Sequence, residues 1–454
     1  MTLTSDTRTT SLTALRDDIA GQVFIQGEDG YAELVASWNL AVAMAPRAVV
    51  AAQTADDVAA AVRFAGRHGL QVGVQATGHG AVASLAGDIL ISTKLLDEVT
   101  VHAEGWARVG GGAKWAQVLE PAHKMGFAGL NGSTSDVGVV GYLTGGGVGP
   151  MARTYGVSSG TVRAFDVVTG DGELRHVTAD EHPDLFFGLR GGKGSLGIVT
   201  AVEFDLVPLT HFYGGALFFE GVHAADVAAL WSRWSLDLPE SITTSFAVLQ
   251  LPPLPGIPEP LAGKTTITVR YLATGDPIEA EDLLAPMRAI APTIIDSIGL
   301  HPYPAVDLVH VDPVDPMPVV EQTVLLSEFP YAALEALMVR TMSGSPQVIT
   351  EVRQLGGAYA QAPEVPDAFD HRAAAYSVFM AGIPDIPGTM EHGRDVIAAL
   401  QPWAHQGMWP NFRSARDAES TAAAYTPATL ARLRAAARAY DPAGVLTMGA
   451  AICS

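Results

Sequence analysis

A chain of 454 residues, 48% of them hydrophobic, can bury a large core and has room for two or three domains, which excludes a disordered protein. Its formal charge of −21 excludes a surface built to hold nucleic acid, because such surfaces gather Lys and Arg to displace counterions. A single cysteine, Cys453, excludes an intrachain disulfide framework and a cysteine zinc site, and fits a reducing cytoplasm.

Residues 1–18 are polar and Thr-rich without a basic-then-apolar leader pattern, and no stretch reaches the ~18 apolar residues of a membrane span. A soluble cytoplasmic chain with no membrane partner is expected. Residues 46–53 read as a strand, Thr54-x-x-Asp57 caps a following helix, and Gly69 ends it. Strands at 71–75 and 88–92 flank a Gly- and Ala-rich loop at 76–87, giving a βαβ beginning. Strands follow at 99–101 and 107–111, then a helix over 114–124 closed by Gly126. From about residue 211 the character changes to alternating apolar runs at 212–220, 243–251 and 265–271, the strands of an antiparallel sheet. The intervening stretches 223–234, 279–290 and 331–342 have helical apolar spacing suited to one face of that sheet. Pro-rich intervals at 252–260 and 312–318 read as surface loops, and no internal repeat is present.

Three glycine-dense segments precede residue 200: Gly78-His79-Gly80, the run from Gly138 to Gly149, and Arg190-Gly-Gly-Lys-Gly-Ser-Leu-Gly197. Glycine lets a backbone approach a ligand closely and turn N–H groups toward an anion such as a pyrophosphate. Two familiar phosphate motifs are nevertheless excluded. A dinucleotide fingerprint starting at Gly145 fails because Pro150 takes the third glycine position. A P-loop around Lys193 fails because Gly194, not Ser or Thr, follows the lysine. The thirteen histidines show no paired-ligand spacing, so no metal site is expected.

Taken together, Gln75-Ala-Thr-Gly-His79-Gly80, Val137-Gly-Val-Val-Gly-Tyr-Leu-Thr-Gly-Gly-Gly-Val-Gly149 and Arg153-Thr-Tyr-Gly156 resemble the FAD-linked oxidases with a vanillyl-alcohol-oxidase-like, PCMH-type fold. The stretch from His182 to Thr200, Leu355-Gly-Gly-Ala358 followed by His371-Arg372, and Tyr440-Asp-Pro agree, and the berberine-bridge-enzyme-like branch fits best. The resemblance implies an α+β chain: a PCMH-type FAD-binding domain of two subdomains (1–210), a substrate domain of antiparallel sheet covered by helices (211–404), and a C-terminal return to the FAD domain (405–454).

The resemblance also implies site residues. Gln75, Thr77, Gly78, His79 and Gly80 form the pyrophosphate loop, with His79 bonded to the 8α carbon of FAD, unless His79 only hydrogen-bonds within its turn. Thr134, Ser135, Val137, Gly138, Gly141 and Gly145, with Val199 and Asn411, complete the cofactor set. Many relatives carry a second link through a cysteine where this chain has Thr134, so one covalent bond is expected, not two. Alcohol-oxidising relatives use the tyrosine of a Tyr-x-Asn-(Phe/Tyr) stretch, and here the match is Trp409-Pro-Asn411-Phe412, without the phenol. Tyr376 is the first choice of catalytic base and Tyr142 the second, though either could be a core tyrosine with a satisfied hydroxyl. Glu351 and Arg353 alternate on one strand and share a face, but spacing does not say which. His371 reads as structural, and Trp403 and Trp409 as core or pocket walls.

The function implied is an FAD-dependent oxidase that abstracts a hydride from a small natural-product-like substrate, an alcohol, a glycoside or a C–C or C–N bond, with reoxidation by O2. Val137 stands where the family's oxygen access is set. Homo-oligomerisation is compatible with this. The rival expectations are a flavin dehydrogenase, a flavoprotein cyclase or desaturase, and a non-catalytic flavin-binding protein.

Overall fold

Seventeen strands appear among the residues that the computed structural model describes, namely 12–82, 86–342, 344–412 and 418–453. Residues 1–11 of the polar start read over 1–18, and positions 83–85 of the glycine-rich loop, lie outside them.

The first sheet contains β1 (Gln22–Ile25), β2 (Ala48–Ala51), β3 (Val72–Gln75) and β4 (Ile89–Ser92) in the order β1-β2-β4-β3. β4 runs parallel to β2 and β3, while β1 pairs antiparallel with β2. β2 and β4 are buried at every position, the continuous apolar run that a doubly covered parallel sheet requires. The helix Ala55–His68 starts where expected: Asp57 N donates to Thr54 Oγ1 and Thr54 N donates to Asp57 Oδ2, both at 3.2 Å. Such a cap is worth about 1 kcal/mol. Gly69, at φ +62°, ends the helix in the left-handed region that costs glycine least.

A second, antiparallel sheet holds β5 (Val99–His102), β6 (Trp106–Gly110), β7 (Val162–Val168), β8 (Leu174–Val177) and β9 (Ile198–Asp205) in the order β5-β6-β9-β7-β8. Its core is centred on Trp115, Phe165 and Phe204. Trp115 opens the helix Trp115–Lys124 and meets Phe204 edge to face with ring centroids 5.4 Å apart.

The third sheet is the largest. It comprises β10 (His211–Glu220), β11 (Ile242–Gln250), β12 (Thr265–Ala273), β13 (Thr293–Asp296), β14 (Gly299–Pro302), β15 (Val320–Leu326), β16 (Gln347–Gln354) and β17 (Tyr376–Gly382). The order is β13-β10-β12-β11-β16-β17-β15, with β14 also on β10, and every pairing is antiparallel. Helices Ala224–Trp234, Pro277–Ala289, Tyr331–Thr341 and Thr389–Leu400 cover one face. There Trp231, Leu284, Leu337 and Val396 pack with Phe246, Val269, Val352 and Val378 from the strands. Each such side chain contributes about 1.5–3 kcal/mol of burial. Because successive strand residues point to opposite faces, the intervening positions look the other way.

Two devices join these layers. The buried Arg153 donates from Nε to Ile242 O at 2.7 Å, from Nη2 to Leu238 O at 3.1 Å and from Nη1 to Leu355 O, fastening the second sheet's neighbourhood to the third. The tail returns to the first sheet: Val72 N donates to Val445 O at 2.8 Å and Thr447 Oγ1 to Val72 O at 3.2 Å. Asp441 receives Val445 N and Leu446 N at 2.8 Å each, which shapes that return. No helix among the described residues is long and apolar enough to cross a membrane.

Candidate functional site

The open face of the third sheet and the glycine segments of the first two enclose a cavity of about 1090 Å³, at the upper end of the roughly 300–1,000 Å³ usual for small-molecule sites.

One wall is the loop after β3. Gly78 stands at φ +83°, and a Cβ there would meet Ser37 Cα at 2.6 Å, so only glycine fits. The turn presents His79, whose ring stacks on Trp38 with centroids 4.4 Å apart and planes 20° from parallel. Its Nε2 is buried without a hydrogen-bond partner, 3.7 Å from Asp136 Oδ2. Asp136 is instead engaged by Lys114 Nζ at 2.5 Å. Burial pulls the imidazole's pKa down and the Asp136 carboxylate pulls it up, with burial the larger effect, so the ring is neutral at pH 7.

The second wall is the long glycine run, and it divides in two. Gly138 and Gly141 border the cavity, and a Cβ on Gly141 would meet nothing within 4 Å. The later glycines make room for the protein itself. A Cβ on Gly145 would meet Asn411 Oδ1 at 2.0 Å, on Gly146 the Phe369 ring at 2.1 Å, and on Gly147 the Tyr142 ring at 2.5 Å. Asn411 is held by donating to Tyr142 O at 3.0 Å and by accepting from Lys193 Nζ.

The third wall is the sheet face. In register across β17, β16, β11 and β12 stand Ser377, Arg353, Ser245 and Arg270, and one row over Phe379, Glu351, Ala247 and Thr268. Glu321, at the edge on β15, is half-buried on the cavity wall, and burial followed by the nearby Asp312 pushes its carboxyl up to about 7. Both Pro-rich intervals line the mouth, so these loops are part of the chamber as well as of the surface. Trp38 ties one of them down by donating from Nε1 to Val314 O at 2.9 Å.

Most of the expected site residues meet at this cavity. Gln75, Thr77, Gly78, His79, Gly80, Thr134, Val137, Gly138, Gly141, Val199 and Asn411 all line it. Ser135 does not: its N–H and hydroxyl donate to Asp307 at 2.8 and 2.6 Å, which joins the wall to the sheet domain. Gly145 also stands behind the wall, against Asn411.

The choice of Tyr376 as base is corrected. Strand alternation turns Ser377 into the cavity and Tyr376 into the helix-covered core, where its ring lies 6.3 Å from Trp231 and 5.6 Å from Phe329. Tyr142 does line the cavity, but burial holds its phenol far above the ordinary value, so it keeps its proton. Trp409 is a wall as expected, with Nε1 donating to Tyr359 Oη at 3.0 Å. Sequence reasoning missed Arg270 and His310. Arg270 was visible as a charge inside an otherwise apolar strand, whereas His310, in a loop segment, carried no signal.

The residues present fit a flavin dinucleotide. A neutral imidazole without a hydrogen bond at Nε2 stands on a glycine turn, and Gly141, whose Cβ position is open, borders the same chamber of sufficient size. The fold is of the PCMH type, and residues 46–178 match the family of FAD binding domains. Among relatives, the chain is 27% identical over 288 residues to (R)-6-hydroxynicotine oxidase of Paenarthrobacter nicotinovorans, 63% of this chain and 62% of that one. The chain thus matches less than two thirds of that relative's length in sequence. Its fold is shared with 6-hydroxy-D-nicotine oxidase from Arthrobacter nicotinovorans, with a TM-score of 0.81, 24% identity, and 94% of this chain and 96% of that one covered. It is shared equally with a berberine-bridge-enzyme-like protein of Physcomitrella patens, with a TM-score of 0.82, 19% identity, and 96% and 97% covered. The chain therefore carries an FAD binding domain and has the fold of the berberine-bridge-enzyme-like oxidases.

Proposed function

We propose that the protein is an FAD-dependent oxidase that holds its cofactor by a single covalent bond to His79 and oxidises a small organic molecule. The observation that carries this reading is the orphaned Nε2 of a neutral His79, set in a glycine turn at one side of a cavity that runs on to a polar sheet face. A neutral imidazole nitrogen has a free lone pair with which to bond the 8α methyl carbon of the flavin. Asp136, fixed by Lys114, stands close enough to orient that ring. Thr134, where a second link would be made, offers a hydroxyl that accepts from Asp136 N at 3.3 Å. Gly141 leaves its backbone open to the dinucleotide, and Gly138 and Val137 line the chamber beside it.

A bound flavin supplies two-electron oxidation and the route to oxygen. The chain supplies the rest. Trp409 and Tyr142 close the chamber with rings whose polar atoms are already engaged or protonated, so neither draws a proton from the substrate. The Pro-rich loops at the mouth shield the chamber from bulk water, which strengthens every polar contact inside. The substrate sits between these rings and the sheet face, and is a compact molecule rather than a long chain.

The oxidase reading is tested by reducing the purified holoprotein photochemically and mixing it with air-saturated buffer. Fast return of the yellow colour with one hydrogen peroxide per flavin is the expected result. Slow return would instead identify a dehydrogenase.

A further inference from the structure

The sheet wall of the cavity carries a buried ionic cluster whose charges do not balance. Arg270 Nη1 donates to Glu351 Oε1 at 2.8 Å, Arg353 Nη2 to Glu351 Oε2 at 3.1 Å, and Ser245 Oγ to Glu351 Oε1 at 2.6 Å. These side chains are 5–8% exposed. Arg353 Nη2 also lies 3.0 Å from His310 Nε2. A guanidinium has only donors, and it lies nearer that nitrogen than Glu351 Oε1 does at 3.5 Å, so the nitrogen accepts and the ring's proton sits on Nδ1. Burial, then the neighbouring Arg270, hold the imidazole's pKa down, so it is neutral.

Two guanidiniums against one carboxylate leave one positive charge in excess, and Glu351 is their only ion-pair partner among the described residues. The cluster also has two unused donors. Arg270 Nε and His310 Nδ1 are both buried without a partner, on neighbouring side chains that line the cavity. Buried charges and donors of this kind call for a counterpart. Beside them on the same wall stand Phe379 and Phe218, an apolar surface for the body of a ligand.

We propose that this cluster recognises a carboxylate on the substrate through its excess positive charge, with Arg270 Nε–H and His310 Nδ1–H turning toward its oxygens on binding and the apolar body lying against Phe379 and Phe218. The proposal rests on the reading of the cavity as a flavoprotein's substrate chamber. It narrows the substrate to small organic acids.

The test is titration of the holoprotein with benzoate and with its neutral counterpart benzamide, followed by flavin absorbance and by calorimetry. Benzoate is expected to bind about thirty-fold more tightly, or better. Arg270→Gln is expected to erase that preference. Glu351→Gln, which removes the carboxylate that offsets one guanidinium, is expected to tighten benzoate binding about tenfold. A merely damaged pocket would not give that direction, and weaker binding at unchanged thermal stability contradicts the proposal. Equal affinities for the two probes, or no benzoate binding by either readout, overturn it. So does an Arg270→Gln protein whose ligand-free flavin spectrum shifts while the benzoate preference survives, since the charge would then serve the flavin. Calorimetry reads benzoate binding in colourless protein too, so failure of the flavin reading is seen separately.

Discussion

The two faces of the eight-stranded sheet are made by alternate residues of the same strands, yet they carry different loads. Toward the helices stand Tyr376, Val378, Val352, Phe246 and Val269, packed in one core with Trp231 and Leu337. Toward the cavity stand Ser377, Phe379, Glu351, Arg353 and Arg270. The helix face is a stability element that any apolar set of the right volume could provide. The cavity face spends stability, since desolvating its charges costs several kcal/mol per ion before their attraction is counted. Which face a residue takes therefore decides whether losing it harms the fold or the chemistry.

The sharpest way to break this division is Trp231→Ala on the helix face. A loss of about 3–5 kcal/mol in denaturant unfolding is expected, from the cavity left behind and the lost bond to Thr244 Oγ1, with flavin content per folded molecule unchanged. A variant of native stability that bound no flavin would contradict it. On the cavity face the sign reverses for Glu321. Its carboxyl is raised from the ordinary 4.5 to about 7, so between those values the folded chain holds a proton that the unfolded chain has released. Stability therefore falls as pH rises through that window, and Glu321→Gln is expected to stabilise the protein by about 1–3 kcal/mol at pH 8 and scarcely at pH 4. An equal gain at both pH values in thermal melts would refute this. The smallest effect is expected at Tyr376→Phe: under about 1 kcal/mol in stability and an unaltered rate of flavin reduction. A hundredfold slower reduction would return Tyr376 to the mechanism.

The fold was largely legible because its signals are local. Thr54, Asp57 and Gly69 mark a helix to within a residue, and apolar alternation gave the strands β10, β11 and β12 and the helices between them. His79 and most of the glycine walls were legible through a resemblance carried by several motifs in order, since each glycine segment alone says little. The sheet face was not. Whether Tyr376 or Ser377 enters the cavity depends on which side the helices cover, a long-range outcome that one strand's sequence does not encode. For the same reason Glu351 and Arg353 could be paired with each other but not given a direction, and His310, brought in from a loop, had no partner visible in the chain. The glycine run misled in a different way: Gly145, Gly146 and Gly147 yield space to Asn411, Phe369 and Tyr142, and a sequence shows that room is needed but not for what.

The most direct measurement is acid precipitation of the purified protein, followed by proteolysis and mapping of any yellow fragment. Colour that stays with the precipitate and maps to a single peptide containing His79, and that no longer does so in His79→Ala, is the expected result. Flavin released wholly into the acid supernatant would contradict the covalent attachment, and colour on a peptide lacking His79 would place the bond elsewhere.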